Sequence, residues 1–336
     1  MEFGSDFHKI EYPIGNGLPY RVFNHYVSGR QPLFDIVRSK PYRRVWIPSY
    51  YCGESLKILD RKDVEIKRYH CLPTDNPESC IDCLNLKSDD LLLRVNYFGI
   101  HGFHDSSLYP CDVVEDHTHD LLGEWASKSN ARWCFASIRK TLPVADGGVL
   151  WSPHNDLTLK QPDITRDVES VIKCRYNAME AKAKYLHGCQ INKGAFLSDF
   201  RATEECFSSF PLADWSSVTN DIMESFDVRT WYNLKRANYI ELLGLLNFSC
   251  SKPVTCSLVN STPFSLIIIF NNNKQREVAR HFLIQNNIYP AILWPDVYGK
   301  DPEAVDFSER ILSVHCDGRY SENDMHLLAQ ILNKVI

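Results

Sequence analysis

Lys140 lies between a short apolar segment, Arg132-Trp-Cys-Phe135, and the glycine pair of Ala145-Asp-Gly-Gly148. An amine in that setting can be enclosed at a strand end, while Gly147 and Gly148 permit positive φ or close backbone approach. Upstream, Asp112-Val-Val114 reads as a buried strand that delivers Glu115 and Asp116 at its carboxyl end, and Lys140 follows Asp116 by 24 residues. A strand-end carboxylate and an enclosed amine are the two groups that pyridoxal phosphate (PLP) requires. The carboxylate keeps the pyridinium nitrogen protonated, so that the ring can accept electrons, and the amine forms a Schiff base. Burial lowers a lysine's pKa and favours the neutral nucleophile. The spacing alone does not single out this chemistry; the elements that carry the residues add to it.

From residue 45 to 150, short β-rich runs alternate with helical or loop stretches. Arg44-Val-Trp-Ile47, Val64 to Arg68, Leu91 to Val95, Asp112 to Val114, Arg132 to Phe135 and Gly148 to Trp151 are the strand candidates. This alternation predicts an α/β protein with a mostly parallel sheet and helices on both faces. Ligands of such sheets bind beyond the carboxyl ends of the strands, and Pro48-Ser49, Asn96-Tyr97 and Asp116 follow those ends. The spacing of Val168, Val171, Ile172, Met179 and Ala183 predicts a helix from Asp163 to about Gly188, and a second long helix is expected near 216–246. Beyond it the expectation is a smaller α+β unit, with a strand at Ser265–Phe270, a helix at Lys274–Gln285, a strand at Ile311–Val314 and a closing helix from Ser321 to Val335. Ser321-Glu-Asn-Asp324 offers that last helix a capped start. The division expected is a large unit over 1–240, including the long connecting helix, and a small unit over 241–336.

Several blocks resemble, in order, the sugar aminotransferases of the DegT/DnrJ/EryC1/StrS family, which are fold-type I PLP-dependent enzymes. They are Ser28-Gly-Arg-Gln-Pro-Leu33, Val45-Trp-Ile-Pro-Ser-Tyr-Tyr-Cys52, Val95-Asn-Tyr-Phe-Gly99, Glu115-Asp-His-Thr-His119 and the lysine with its glycines. The resemblance covers roughly residues 25–150 and loosens beyond. It implies Lys140 as the cofactor's lysine, Asp116 as partner of the ring nitrogen, and His119 near the cofactor oxygen. Ser28, Gly29 and Arg30 match the phosphate loop, which opens a helix and presents backbone N–H groups. Ser137 is a second phosphate candidate, and Asn96 follows the third strand into the site. Three positions depart from the family pattern. Arg30 stands where a threonine is usual, Phe135 occupies the position five before the lysine where serine is usual, and Cys52 occupies the position of an aromatic that stacks on the ring. Tyr51 or Tyr50 can substitute for that aromatic after a local shift. Arg139 either supplies a cation or points to solvent.

The resemblance further implies an amino donor held by its carboxylate, for which Arg319 of Asp317-Gly-Arg-Tyr320 is the candidate clamp. Tyr289, Trp294 and Pro295 are expected to line the same cleft. Family members form homodimers, and Tyr176 and Asn177 are candidates for residues given to a second chain's site. The implied reaction transfers an amino group, with glutamate as donor, to a keto-sugar nucleotide for a surface polysaccharide or glycoconjugate. Related dehydratases carry histidine in place of the lysine, so Lys140 favours transamination over other PLP chemistry. A catalytically degenerate member stays open on the altered phosphate loop and the missing aromatic. A metal-dependent hydrolase would rest on His101-Gly-Phe-His-Asp105 and Glu115 to Asp120, whose ligand types lack a known spacing; no metal is expected.

Composition bounds the remaining classes. Hydrophobic content of 44% and charged content of 24% suit a globular protein with a large core, and a net charge of −5 speaks against a nucleic-acid partner. No apolar run reaches the roughly 20 residues of a membrane span, and no signal peptide is evident, so a cytoplasmic location is expected. The twelve cysteines, with Cys80-Ile-Asp-Cys83 lacking a partner pair, are expected as reduced thiols; Cys52, Cys134, Cys174 and Cys256 sit in or beside apolar runs.

Overall fold

The computed structural model describes residues 2–20, 23–59, 64–255, 261–297, 299 and 301–336; Cys256 lies outside them. The chain begins with β1 (Phe3–Gly4), β2 (Phe23–Tyr26) and helix α1 (Arg30–Ser39). Strands β3 (Arg44–Pro48), β4 (Glu65–Tyr69), β5 (Asp90–Val95), β6 (Asp112–Asp116), β7 (Trp133–Ser137) and β8 (Gly148–Trp151) follow, interleaved with short helices α2 (Gly53–Leu56), α3 (Pro77–Ile81) and α4 (Glu124–Lys128). One seven-stranded sheet results, in the order β2-β8-β7-β6-β5-β3-β4. Strands β4, β3, β5, β6 and β7 run parallel; β8 runs against them, and β2, antiparallel to β8, returns to their direction.

Helices on both faces bury the central strands completely, which is why β5 and β7 read as near-continuous apolar runs rather than alternating ones. Register then fixes the site. Val95 lies opposite Asp116, Asp116 opposite Phe135, and Ser137 opposite Gly148. The carboxyl ends of β5, β6 and β7 therefore share one edge.

The sheet is followed by α5 (Arg166–Leu186), α6 (Lys193–Cys206), α7 (Ser217–Met223) and α8 (Val228–Gly244). The single helix expected over 216–246 is two. Between them Ser225, Phe226 and Asp227 turn extended to pair with the N-terminal segment: Gly15 N–H donates to Ser225 O (2.7 Å) and Asp227 N–H to Pro13 O (2.8 Å). Asp227 then caps α8 through Thr230 N–H at 3.0 Å. Beyond α8 come β9 (Ser251–Pro253), β10 (Leu266–Phe270), α9 (Asn273–Gln285), β11 (Ile288–Tyr289), α10 (Pro302–Arg310), β12 (Ile311–Val314) and α11 (Glu322–Leu332). Ser321 and Asp324 form the capping box that starts α11, as the sequence suggests.

Strands β12, β10 and β9 make a second, antiparallel sheet, and β1 pairs in parallel with β11. A separate apolar cluster collects around them, with Tyr239 and Leu242 of α8, Leu283 of α9 and Leu328 of α11; Phe3 joins it from the N-terminus. Among the described residues no helix is long and apolar enough to cross a membrane, and the described cysteines are free thiols.

Candidate active site

A cavity of about 610 Å³ opens at the carboxyl ends of β5, β6 and β7, closed on its far side by residues 291–296. Many of the residues singled out in the sequence line it: Ser28, Gly29, Arg30, Tyr51, Cys52, Asp116, His119, Ser137, Arg139, Lys140, Trp294 and Pro295.

Asp116 ends β6 with its carboxylate buried. Its Oδ2 accepts from the Tyr51 hydroxyl at 2.8 Å and its Oδ1 from Thr118 N–H at 2.9 Å. Burial raises its pKa, and the Thr118 and Tyr51 donors oppose that rise by stabilising the ion. Tyr51 thus meets the carboxylate edge-on through its hydroxyl, a role the sequence does not disclose.

Lys140 closes the 3₁₀ turn that leaves β7. Its side chain is open to the cavity but walled by protein. Arg139 first, and enclosure second, bring its pKa down from the usual lysine range to about 8, while Glu204 pulls the other way. Among the described residues its amine has no hydrogen-bond or ion-pair partner. A free, easily deprotonated amine that shares a cavity with a buried carboxylate is able to add to a carbonyl and afterwards to carry a proton.

The anion cradle lies where α1 begins. Gly29 is the helix N-cap and no side chain caps it; Gln31 N–H donates to Ser28 O at 3.2 Å and Pro32 has no N–H, which leaves the Arg30 N–H at the helix start for an anion. The Ser28 hydroxyl is buried without a partner among the described residues. A Cβ on Gly29 would stand 2.3 Å from Ser137 Cβ, so only glycine lets α1 start against the end of β7. Ser137 is held there by its N–H, which donates to Thr118 Oγ1 at 3.0 Å. Arg30, half-buried, adds a cation to the same wall. Gly147, at φ +125°, makes the turn that brings β8 back.

His119 is fixed as a neutral imidazole. Burial, with Lys235 and Lys140 nearby, lowers its pKa to about 3. Its Nδ1 accepts from Phe98 N–H at 3.0 Å, which leaves the proton on Nε2. The ring is stacked with Phe98 (5.5 Å) and Trp294 (5.7 Å).

Other candidates fall elsewhere. Asn96 is buried behind β6, with its amide 3.5 Å from His117 Nδ1. Tyr289 lines a second cavity of about 360 Å³ that shares Arg139, Lys140 and Phe264 with the first. Arg319 lines neither; Nε and Nη2 both donate to Asp317, at 2.8 Å each, and the guanidinium covers Phe7. Tyr176 and Asn177 lie on α5, Tyr176 half-buried and Asn177 exposed. The histidines that suggested a metal disperse: His101 meets Pro73 O and His104 meets Glu78. Glu115, His117 and Cys134 do come within 4.8 Å of one another. Yet Glu115 already accepts from Ser106, Ser129 and His117, and burial holds the Cys134 thiol protonated.

Two of the cavity-wall residues that escape the sequence reading stand out by their contacts. Glu204, in the last turn of α6, takes the Arg139 guanidinium bidentately. Phe264 packs on His119 at 4.5 Å. Helical spacing of Phe196, Phe200 and Thr203 was the available signal for α6.

No protein-family model and no curated protein matches this sequence. Solved structures do match. PseC of Helicobacter pylori, an aminotransferase involved in the biosynthesis of pseudoaminic acid, aligns over 100% of this chain and 99% of its own, at TM-score 0.63 and 11% identity. The sugar aminotransferase Spr1654 of Streptococcus pneumoniae in its PMP form aligns over 93% and 85%, at 0.60 and 14%. DesV of S. venezuelae, solved with a ketimine intermediate, aligns over 93% and 84%, at 0.57 and 14%. The chain shares their fold. The α/β class and the fold-type I architecture expected from the sequence are borne out, and at these identities the likeness is one of fold.

Proposed function

We propose that this chain is a PLP-dependent aminotransferase that moves an amino group from glutamate to a keto-sugar nucleotide, for surface polysaccharide or glycoconjugate synthesis in the cytoplasm. The observation that carries the reading is the convergence on one cavity of a free amine (Lys140), a buried carboxylate (Asp116) and an anion cradle (Ser28, Gly29, Ser137). Those residues fit PLP, whose phosphate, ring nitrogen and aldehyde call for these three kinds of group. Bound PLP would supply an electron sink for carbanion chemistry.

The protein's part is positioning and proton handling. Ser28, the N–H and guanidinium of Arg30, and Ser137 would hold the phosphate. Asp116, kept ionised by Tyr51 and Thr118, would hold the ring nitrogen's proton. His119 would offer its Nε2 proton to an oxygen and so fix the ring's orientation. Lys140 would be the attachment point and then the base and acid at the substrate carbon, a role served by a pKa near 8. Trp294 and Phe264 would exclude water. The large unit over 1–240 would carry the cofactor, and the small unit over 241–336 would close the cleft. A fold neighbour named as a sugar aminotransferase, and PseC with its place in pseudoaminic acid biosynthesis, support a sugar acceptor. A homodimer, with Tyr176 and Asn177 turned to the partner's site, is part of the same proposal.

The test is a spectrum of the purified protein with added PLP, before and after L-glutamate. A visible band that forms in the wild type, is absent from Lys140→Ala and is bleached by L-glutamate is the expected result. The absence of any such band would overturn the reading.

A further inference from the structure

We infer that Arg139 is a carboxylate clamp held shut by the protein's own Glu204, and that an amino or oxo acid binds by displacing Glu204 from it. Identification of that acid with the amino donor rests on the aminotransferase reading; the clamp itself does not.

The argument begins with the pair. Arg139 is the residue before Lys140, and its side chain is 8% exposed, whereas that of Glu204 is 43% exposed and lines the larger cavity. The guanidinium gives Nη1 to Glu204 Oε2 at 2.9 Å and Nη2 to Oε1 at 2.7 Å. Its Nε is buried with no partner among the described residues, and its face lies 4.4 Å over the ring of Phe207. A planar fork fixed by stacking, with a carboxylate already seated in it, shows which group it accepts.

Arg175 also approaches Glu204, at 3.4 Å, but is committed to Asp6 at 3.0 Å and to Phe200 O and Thr203 at 3.2 Å. Release of Glu204 therefore leaves Arg175 paired and Arg139 alone in need of an anion. Exchange of one carboxylate for another leaves no buried charge unpaired, which removal of Glu204 by itself would do. Glu204 sits in the final turn of α6, close to solvent, and is able to swing away.

The surroundings suit a small amino or oxo acid. Arg139 and Lys140 line both cavities, so a carboxylate on the fork is placed close to the amine. The second cavity, about 360 Å³, offers Phe7, Val144, Met179 and Phe200 to the acid's carbon chain. The phosphate cradle is built separately, at Ser28 and the start of α1. An internal carboxylate lowers apparent affinity by the fraction of time it occupies the fork, which keeps the clamp closed until substrate concentrations are high.

The experiment is calorimetric titration of full-length protein with glutarate, a dicarboxylate without amine or ketone, with and without added PLP. Glu204→Gln keeps the size and one acceptor but removes the charge, and glutarate is expected to bind it at least about tenfold more tightly than wild type. That gain should exceed the gain for sulfate. Arg139→Lys keeps the charge and loses the fork, and is expected to bind about tenfold more weakly. Equal affinities in wild type and Glu204→Gln, or in wild type and Arg139→Lys, would overturn the clamp. Should the variants misfold, the wild type still decides: bound glutarate must speed amide exchange over residues 203–207, and unchanged exchange would overturn it. Glutarate binding without a visible PLP band sinks the aminotransferase reading and leaves the clamp. A band without the glutarate effects sinks the clamp alone.

Discussion

In the role proposed for it, Asp116 has to remain ionised inside a protein wall, and the donors around its carboxylate, rather than a cation, oppose the effect of burial. Thr118 N–H and the Tyr51 hydroxyl each accept part of the work, and the carboxylate's pKa still lies above the ordinary aspartate value. Loss of the Tyr51 hydroxyl removes a bond to a charged group, which is worth about 1.5–3 kcal/mol, or about one pKa unit at the lower end. The sign follows directly. The native pKa is already raised, and removal of a donor raises it further, so the ionised form is lost at a higher pH as the solution is acidified. Tyr51→Phe should therefore shift the acid limb of PLP binding, read as the visible band against pH, upward by about one unit. The buried ring packing of Tyr51 is retained in phenylalanine, so the stability loss should stay within about the 1.5–3 kcal/mol of that bond, present where Asp116 is ionised and fading below the acid limb. An unmoved acid limb would show that the hydroxyl is not what holds Asp116 charged.

The elements that carry these residues were largely readable in advance, because strands buried on both faces write themselves as apolar runs with turn residues at their ends. Strands β3, β5, β6, β7 and β8 fall within two residues of the expected segments at each end, and β12 coincides with Ile311–Val314. Residues at the carboxyl ends of those strands were therefore legible as a group. Helix α6 was not, since Gly194 near its start and the polar stretch Arg201 to Glu205 mask a weak apolar stripe. Glu204 could not be read at all, because its meaning lies in a pairing across 65 residues of sequence. The break between α7 and α8 was hidden for a similar reason, as it is imposed by pairing with residues 13–17. The joint of α1 with β7 provides a test at this scale. In Gly29→Ala the new Cβ would lie 2.3 Å from Ser137 Cβ and 2.8 Å from Ser137 Cα, and Ser137 cannot yield without moving the strand end. Displacement of the helix start should cost about 1–3 kcal/mol. It should also spread the anion cradle, so that PLP affinity falls together with the melting temperature. A variant with native stability and native PLP affinity would show that α1 and β7 do not need this close approach.

At the scale of the molecule, the N-terminal segment is the strap that joins two apolar cores to the cavity between them. Phe3 is 2% exposed in the second core, its ring 5.1 Å from that of Tyr320, and Gly4 N–H donates to the Tyr320 hydroxyl at 2.7 Å. Two residues on, Asp6 receives Arg175 of α5, and its carbonyl accepts from Lys182 at 2.5 Å. Ser5, Asp6 and Phe7 then form one wall of the cavity beside Lys140. Helix α8 couples the same two regions from the other side, with Trp231 and Tyr232 in the first core and Tyr239 and Leu242 in the second. A cut at the far end of the strap should therefore be felt at the cavity. Phe3→Ala deletes a buried aromatic and should cost about 3 kcal/mol. Ile14→Ala, at a side chain 84% exposed on the same segment, should stay within about 0.5 kcal/mol. Denaturant midpoints measure the two costs. Amide exchange over residues 5–7, faster in Phe3→Ala and unchanged in Ile14→Ala, reports whether the wall has loosened. Equal midpoints would mean that β1 merely rests on β11, and unchanged exchange despite a lowered midpoint would mean that the second core and the cavity wall hold independently.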